Sequence, residues 1–226
     1  MFDRVIKLIG EEKFKHLKDQ TVLVVGLGGV GGYVCEGLIR SGIGNIILVD
    51  YDSVDISNLN RQIISNINNI GLDKVDVMDD RIKSINPDCN VIKLNIKLDL
   101  ENVIDIFNNY TFDYVIDACD TIVVKEMLIK LSCQYNINII SSMGTGNKFN
   151  SSMLSIMDLR KTSYDPIARR LRKFVKDNKI NKKIPVVCST EKNDSFTGDV
   201  PSMIFVPAVA GLMCANYVIN DIIDNI

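Results

Sequence analysis

Residues 21–32 read TVLVVGLGGVGG and residues 45–50 read NIILVD. The first run is a short β-branched strand that ends at Gly26 and is followed by Gly28, Gly29 and Gly31. Val30–Ile39 then has a helical apolar pattern that stops at Ser41-Gly42, and Asn45–Asp50 is a second buried strand closed by a carboxylate. Glycines allow a tight turn and a close approach of backbone to phosphate, and the helix N-terminus favours negative charge. Asp50 follows Gly31 by 19 residues, where a carboxylate at a strand end accepts hydrogen bonds from ribose hydroxyls. The unit reads as a nucleotide site without choosing between NAD and ATP.

Working outward, strands and helices keep alternating. Val75, Met78, Ile82 and Ile85 recur at helical spacing until Pro87. Val91–Leu94, Asp113–Ala118 and Ile137–Ser142 read as strands, with helices over Leu100–Phe107 and Lys125–Tyr135. Continuous apolar strands separated by helices predict an α/β, Rossmann-like fold: a mostly parallel sheet with helices on both faces. After Gly144 the pattern changes to short strands at Met153–Met157 and Val186–Ser189. Between them lies a helix capped by Asp165 with Pro166 in its first turn. A final helix runs from about Pro207 to Ile223. The expectation is one domain over 1–226, with a nucleotide-binding sheet over 1–142 and a C-terminal elaboration of short strands and helices over 143–226.

Composition narrows the classes. The 226 residues are 46% hydrophobic and 24% charged, which excludes a disordered chain. Net charge is −2, so the whole-chain balance does not mark a nucleic-acid binder. Six cysteines at 35, 89, 119, 133, 188 and 214 include no C-x-x-C pair, so no zinc ribbon is written here. With no apolar leader over Met1–Gln20, the expected compartment is the reducing cytoplasm. Val200–Asn220 carries no charge over 21 residues. Pro207 near its middle and several polar residues make it a core or dimer-interface helix rather than a membrane span.

The segment after Asp50 decides the nucleotide. Residues 50–62 read DYDSVDISNLNRQ, Lys74 opens the next helix, and Asp120 ends the DACD run at 117–120. A dehydrogenase has no evident use for Arg61, Lys74 and Asp120 together. A triphosphate does, because cations neutralise phosphate charge and a carboxylate holds Mg²⁺. These runs, GLGGVGG, LVDYDSVDISNLNRQ, DKV and DACD, resemble the ThiF/MoeB/HesA superfamily, the bacterial relatives of ubiquitin-activating enzymes. The likeness to its tRNA threonylcarbamoyladenosine dehydratase branch spans nearly the whole chain. It extends through FDRVIKLIGEE at 2–12, GLDKVDVMDDRIKSINPDC at 71–89, DLRKTSYDPIARRLRK at 158–173 and FVPAVAGLM at 205–213.

The resemblance implies adenylation: a carboxylate attacks the α-phosphate of ATP, pyrophosphate leaves, and an acyl-adenylate is held. In the dehydratase branch the carboxylate is that of threonylcarbamoyladenosine in tRNA, and an internal nucleophile then closes a ring as AMP departs. Carried over residue by residue, Gly26, Gly28, Gly29 and Gly31 hold the nucleotide, and Asp50 binds ribose with Asp52 beside it. Asn58, Arg61 and Lys74 meet phosphates with Gln62 nearby, and Asp120 holds Mg²⁺. Arg4 matches an N-terminal arginine that reaches the ATP of the partner subunit in a homodimer. A sulfur-acceptor protein remains open as a further partner.

Other residues read more simply. Asp117 is expected to be structural, and Lys125 and His16 to be solvated. Cys188 and Cys214 read as buried and structural, since Lys148–Val187 holds no cysteine where sulfur-transferring relatives carry theirs. Arg160–Lys183 contains ten Lys/Arg and two Asp, a net +8 that leaves −10 for the rest. Arg169, Arg170, Arg172, Lys173 and Lys176 surround an apolar face of Ile167, Leu171, Phe174 and Val175; such a helix is either a solvated face or follows a phosphate backbone, and the charge asymmetry together with the family resemblance favours tRNA binding. Two competitors stay in view. One is an adenylyltransferase acting on the C-terminal glycine of a ubiquitin-like sulfur carrier; the other is an NAD-binding module.

Overall fold

The computed structural model describes residues 1–192 and 200–225; residues 193–199 and 226 of the expected elaboration lie outside the described residues. In chain order the main elements are α1 (Asp3–Ile9), α2 (Glu11–Asp19), β1 (Thr21–Val25), α3 (Gly31–Ser41), β2 (Asn45–Asp50), α4 (Lys74–Ile85) and β3 (Asn90–Asn95). They continue as α5 (Val103–Asn109), β4 (Tyr114–Asp117), α6 (Ile122–Gln134), β5 (Asn138–Ser142), β6 (Leu154–Asp158), α7 (Pro166–Asp177), β7 (Pro185–Ser189) and α8 (Phe205–Asp224). Each predicted element is present, with ends shifted by a few residues.

The strands form one seven-stranded sheet in the order β3-β2-β1-β4-β5-β7-β6. All neighbours are parallel except β6, which runs antiparallel to β7 at the edge. The two strands beyond residue 142 therefore extend the nucleotide-type sheet. The chain crosses from one side of β1 to the other between β3 and β4. That reversal opens a crevice at the carboxyl ends of β1 and β4, where open α/β sheets bind ligands.

The near-continuous apolar strands are covered on both faces. Val34, Leu38, Met78 and Cys214 pack one layer, from α3, α4 and α8. Phe107, Leu128 and Leu171 pack the other, from α5, α6 and α7. By length and hydropathy α8 is the one helix among the described residues that matches a membrane span, and half of it is buried inside the fold. A Cβ on Gly211 would lie 2.3 Å from the Val30 carbonyl oxygen, and one on Gly37 2.8 Å from the Ala215 Cβ. Those two glycines let α8 lie directly on α3, so α8 is a core helix. Helix α7 starts as predicted, with the Asp165 carboxylate accepting the Ala168 N–H at 2.8 Å and Pro166 in the first turn.

Candidate functional site

At the crevice lies a cavity of about 600 Å³ lined by Gly26, Gly28, Gly29, Asp50, Asp52, Asn58, Arg61, Gln62, Lys74 and Asp120. These residues come from five segments of chain. The turn after β1 is built on glycine for two reasons. Gly26 has φ +89, and its Cβ would strike the Ala118 carbonyl at 2.8 Å; a Cβ on Gly31 would sit 1.7 Å from the Gly26 oxygen. Gly31 therefore closes the turn at the start of α3, while Gly28 and Gly29 face the cavity.

Asp50 is held by two backbone donors. Its carboxylate accepts the Leu27 N–H at 2.6 Å and the Asp52 N–H at 2.9 Å. One side chain thus ties the end of β2 to the glycine turn. Asp52 accepts the Lys74 ammonium at 2.8 Å, with the lysine side chain 5% exposed and the carboxylate 48% exposed. The 50–62 strap is shaped by a one-turn helix at Ile56–Asn58. There Asp55 caps Ser57, and the Asn58 amide oxygen accepts the Asp55 N–H. Arg61 donates to the Ser57 carbonyl at 2.7 Å and to the Asn60 amide oxygen at 2.9 Å, which aims the guanidinium along the cavity edge. Gln62 is buried, and its Oε1 has no hydrogen-bond partner. A buried acceptor without a donor is costly; an adenine amino group or a ribose hydroxyl would supply one.

Asp120 is exposed on the loop between β4 and α6, with only the Thr121 hydroxyl on its carboxylate among the described residues, at 3.3 Å. Among the described residues no three His, Cys, Asp or Glu side chains cluster as a metal cage. Mg²⁺ does not need one: it is commonly held by one or two carboxylates plus substrate phosphates and water. Asp120 fits that donor set.

Beneath this loop the structure corrects the expectation for Lys125. Its side chain is 1% exposed, not solvated, and its ammonium donates to both oxygens of Asp117 at 3.1 Å and to the Ser142 carbonyl at 2.8 Å. Burial alone would push the ammonium down, but the Asp117 carboxylate holds it above the usual lysine value. Asp117 is structural as expected, and its partner lies eight residues ahead, where α6 turns back over the end of β4. Cys119 also borders the cavity. Burial, and then the Asp117 charge, push its thiol well up, and it donates to Asp117 at 3.1 Å, so it is no nucleophile at neutral pH. Burial likewise pushes Cys188 up to about 11 and Cys214 up to about 12, in keeping with a structural role for both.

The sequence profile of the ThiF family matches residues 2–225. This chain belongs to the ThiF family. A tRNA threonylcarbamoyladenosine dehydratase of Bacillus subtilis strain 168 is 40% identical over 243 residues, covering 100% of this chain and 95% of that one. The crystal structure of the Escherichia coli tRNA N6-threonylcarbamoyladenosine dehydratase in complex with ATP superposes with a TM-score of 0.93. It is 32% identical, with 99% of this chain and 94% of that chain covered. An adenylyltransferase and sulfurtransferase UBA4 of Vanderwaltozyma polyspora is 37% identical over 146 residues, but covers only 65% of this chain and 33% of that one.

Two further groups of the ThiF-family chain were named from sequence. Arg4 is exposed on α1 and does not line the cavity of its own chain. On α7, Arg169, Lys173 and Lys176 are exposed at positions i, i+4 and i+7, one stripe of the helix. None of the three side chains has a hydrogen bond or ion pair among the described residues. Arg170 is exposed beside them, 3.4 Å from Glu126. Arg172 differs: half-buried, it donates to both the carbonyl and the hydroxyl of Thr162 and so pins the segment before α7. Sequence reasoning overlooked the far wall of the cavity, made by Gly144–Lys148 after β5, by Asp165–Ile167 at the head of α7, and by Val200 and Ser202. Its only sequence signal was a Gly-x-Gly loop after a strand, without a charged motif.

Proposed function

We propose that this protein is an ATP-dependent tRNA threonylcarbamoyladenosine dehydratase. The observation that carries the reading is the meeting of the glycine turn, Asp50, Arg61, Lys74 and Asp120 around one cavity. Gly26, Gly28, Gly29 and Gly31 shape the phosphate cradle, and Asp50 takes the ribose with Asp52 behind it. Asn58 and Gln62 line the nucleotide, while Arg61 and Lys74 offset phosphate charge. The substrate carboxylate oxygen bonds to the α-phosphorus as the bond to pyrophosphate breaks. An internal nucleophile then bonds to the activated carbon, loses its proton, and AMP leaves; the net change is loss of water. Asp120 would hold Mg²⁺, which would supply positive charge to offset that of the phosphates. The Asp52 carboxylate that pairs with Lys74 is half in water, so a phosphate can take over the ammonium at little cost.

Arg169, Arg170, Lys173 and Lys176 form the tRNA-binding stripe, and Arg172 supports it. Because α7 begins at the cavity wall, phosphates on the stripe would lie within about 18 Å of the cavity, the length of twelve helical residues. The protein acts as a cytoplasmic homodimer, with Arg4 entering the partner's site. Exposed Met203, Ile204 and Phe205 supply apolar surface beside the 56–62 strap, which Asn60 bonds to the Ser202 carbonyl at 3.0 Å. Sedimentation showing a fully active monomer would contradict the dimer.

The test of function is nucleotide release. Purified protein with Mg-ATP should yield AMP and pyrophosphate with tRNA carrying threonylcarbamoyladenosine and not with unmodified tRNA. Release with a sulfur-carrier protein instead would favour the second reading, supported by the UBA4 similarity but over a shorter span.

A further inference from the structure

Lys148 is 6% exposed and lines the cavity. Its ammonium has three protons to donate, and the one partner among the described residues is the Glu191 carbonyl at 3.4 Å. A buried cation left this short of acceptors is costly unless an anion joins it. The loop that carries it does not need the ammonium as an anchor. The Glu191 carboxylate accepts the N–H groups of Phe149 at 3.0 Å and Asn150 at 2.9 Å. The Asn147 N–H donates to the Pro201 carbonyl at 2.6 Å, and the Gly144 N–H to Asp165 at 3.1 Å. The loop is tied at each end by other groups, and the charge remains to be used.

Its place in the sheet identifies the anion. The glycine turn follows β1, whereas the Lys148 loop follows β5, two strands away across β4. At ordinary strand spacing that is about 10 Å. The cations beside the glycine turn, Arg61 and Lys74, come from the β2 side of the cavity. Lys148 faces it from the other side, next to the head of α7. We propose that Lys148 binds the carboxylate of the adenylyl acceptor and holds it opposite the nucleotide for attack on the α-phosphate. This rests on the reading of the protein as an adenylating enzyme, and adds which group receives the second substrate. The shared chemistry is an anionic oxygen, and ATP phosphate is the alternative source.

The experiment compares wild type, Lys148→Met and Lys148→Arg. ATP affinity is measured by calorimetry, and AMP release by steady-state kinetics with tRNA carrying threonylcarbamoyladenosine. Loss of a charge-assisted hydrogen bond predicts a KM for modified tRNA raised about 10- to 100-fold in the methionine variant. ATP affinity should stay within about twofold, and arginine should restore most of the KM. An unchanged KM in Lys148→Met would overturn the assignment and leave the adenylation reading intact. ATP affinity falling as far as KM rises would overturn it in favour of phosphate binding. Arginine performing no better than methionine would reduce the residue to packing. A wild type that releases no AMP with modified tRNA would overturn the dehydratase reading and this inference together.

Discussion

Two lysine–aspartate pairs border the same cavity and do different work. On the nucleotide wall, Lys74 meets Asp52 at 2.8 Å, and that carboxylate is 48% exposed. On the floor, Lys125 meets Asp117 at 3.1 Å with both side chains essentially closed to water. Water screens the first pair, so its attraction is weak and reversible. In the second, either charge left alone would be stranded in low dielectric, so the pair persists or the floor fails. Ser141 and the Ser142 carbonyl complete the floor's hydrogen bonds and tie the ends of β4 and β5 to α6. In the proposed reaction the first pair exchanges its partner for substrate, while the second braces the loop that carries Asp120.

The comparison breaks first on stability. Lys125→Met should cost about 3–5 kcal/mol in urea unfolding, the usual penalty for removing one member of a buried pair, whereas Lys74→Met should cost about 1 kcal/mol or less. Equal losses would show that the two pairs are equivalent. The order inverts for chemistry. Asp120→Ala and Lys74→Met should each lower AMP release by about 10²–10³-fold while the protein stays folded; a folded Asp120→Ala enzyme at wild-type rate would remove Asp120 from the mechanism.

A contrast within α7 sharpens the same distinction between working and structural cations. Reversing Arg169, Arg170 and Lys173 to Glu should weaken tRNA binding by about 10²-fold or more and flatten a salt slope expected near about −3 for four phosphates. Calorimetric ATP affinity should fall far less than tRNA affinity, since none of the three side chains lines the cavity. Arg172→Ala, which loses the Thr162 bonds, should instead show up mainly in thermal unfolding. Unaltered tRNA affinity in the triple variant would make the stripe an ordinary solvated surface.

The smallest effect belongs to the cysteines. Cys188→Ala and Cys214→Ala should keep most activity and lose about 1 kcal/mol of stability each. Burial raises both thiols above their unfolded value, so the stability they contribute is fully present below pH 9. It declines as pH rises toward about 11 for Cys188 and about 12 for Cys214. Thiol alkylation of the folded protein at pH 8 should therefore be slow. A well-folded cysteine variant without turnover would overturn direct ring closure from the adenylate and favour a thioester formed on that cysteine.

The glycine turn, Asp50, the 50–62 strap, Lys74 and Asp120 were legible in sequence because each sits at a strand end or helix start. There the local pattern of apolar runs, glycines and caps already places it at the carboxyl edge of a parallel sheet. The capped start of α7 was legible for the same reason: Asp165 and Pro166 act on their own neighbours. Lys125, Lys148 and Arg172 were not. In a linear reading each is one more cation on a helix or loop, and nothing adjacent in sequence says whether water reaches it. That is decided by which segments fold over it: β4 and β5 around Lys125, Glu191 and the cavity around Lys148, and Thr162 against Arg172. Charge is a property of the residue, but whether it works, braces or merely dissolves depends on the dielectric and partners around it, and only the packed chain supplies those.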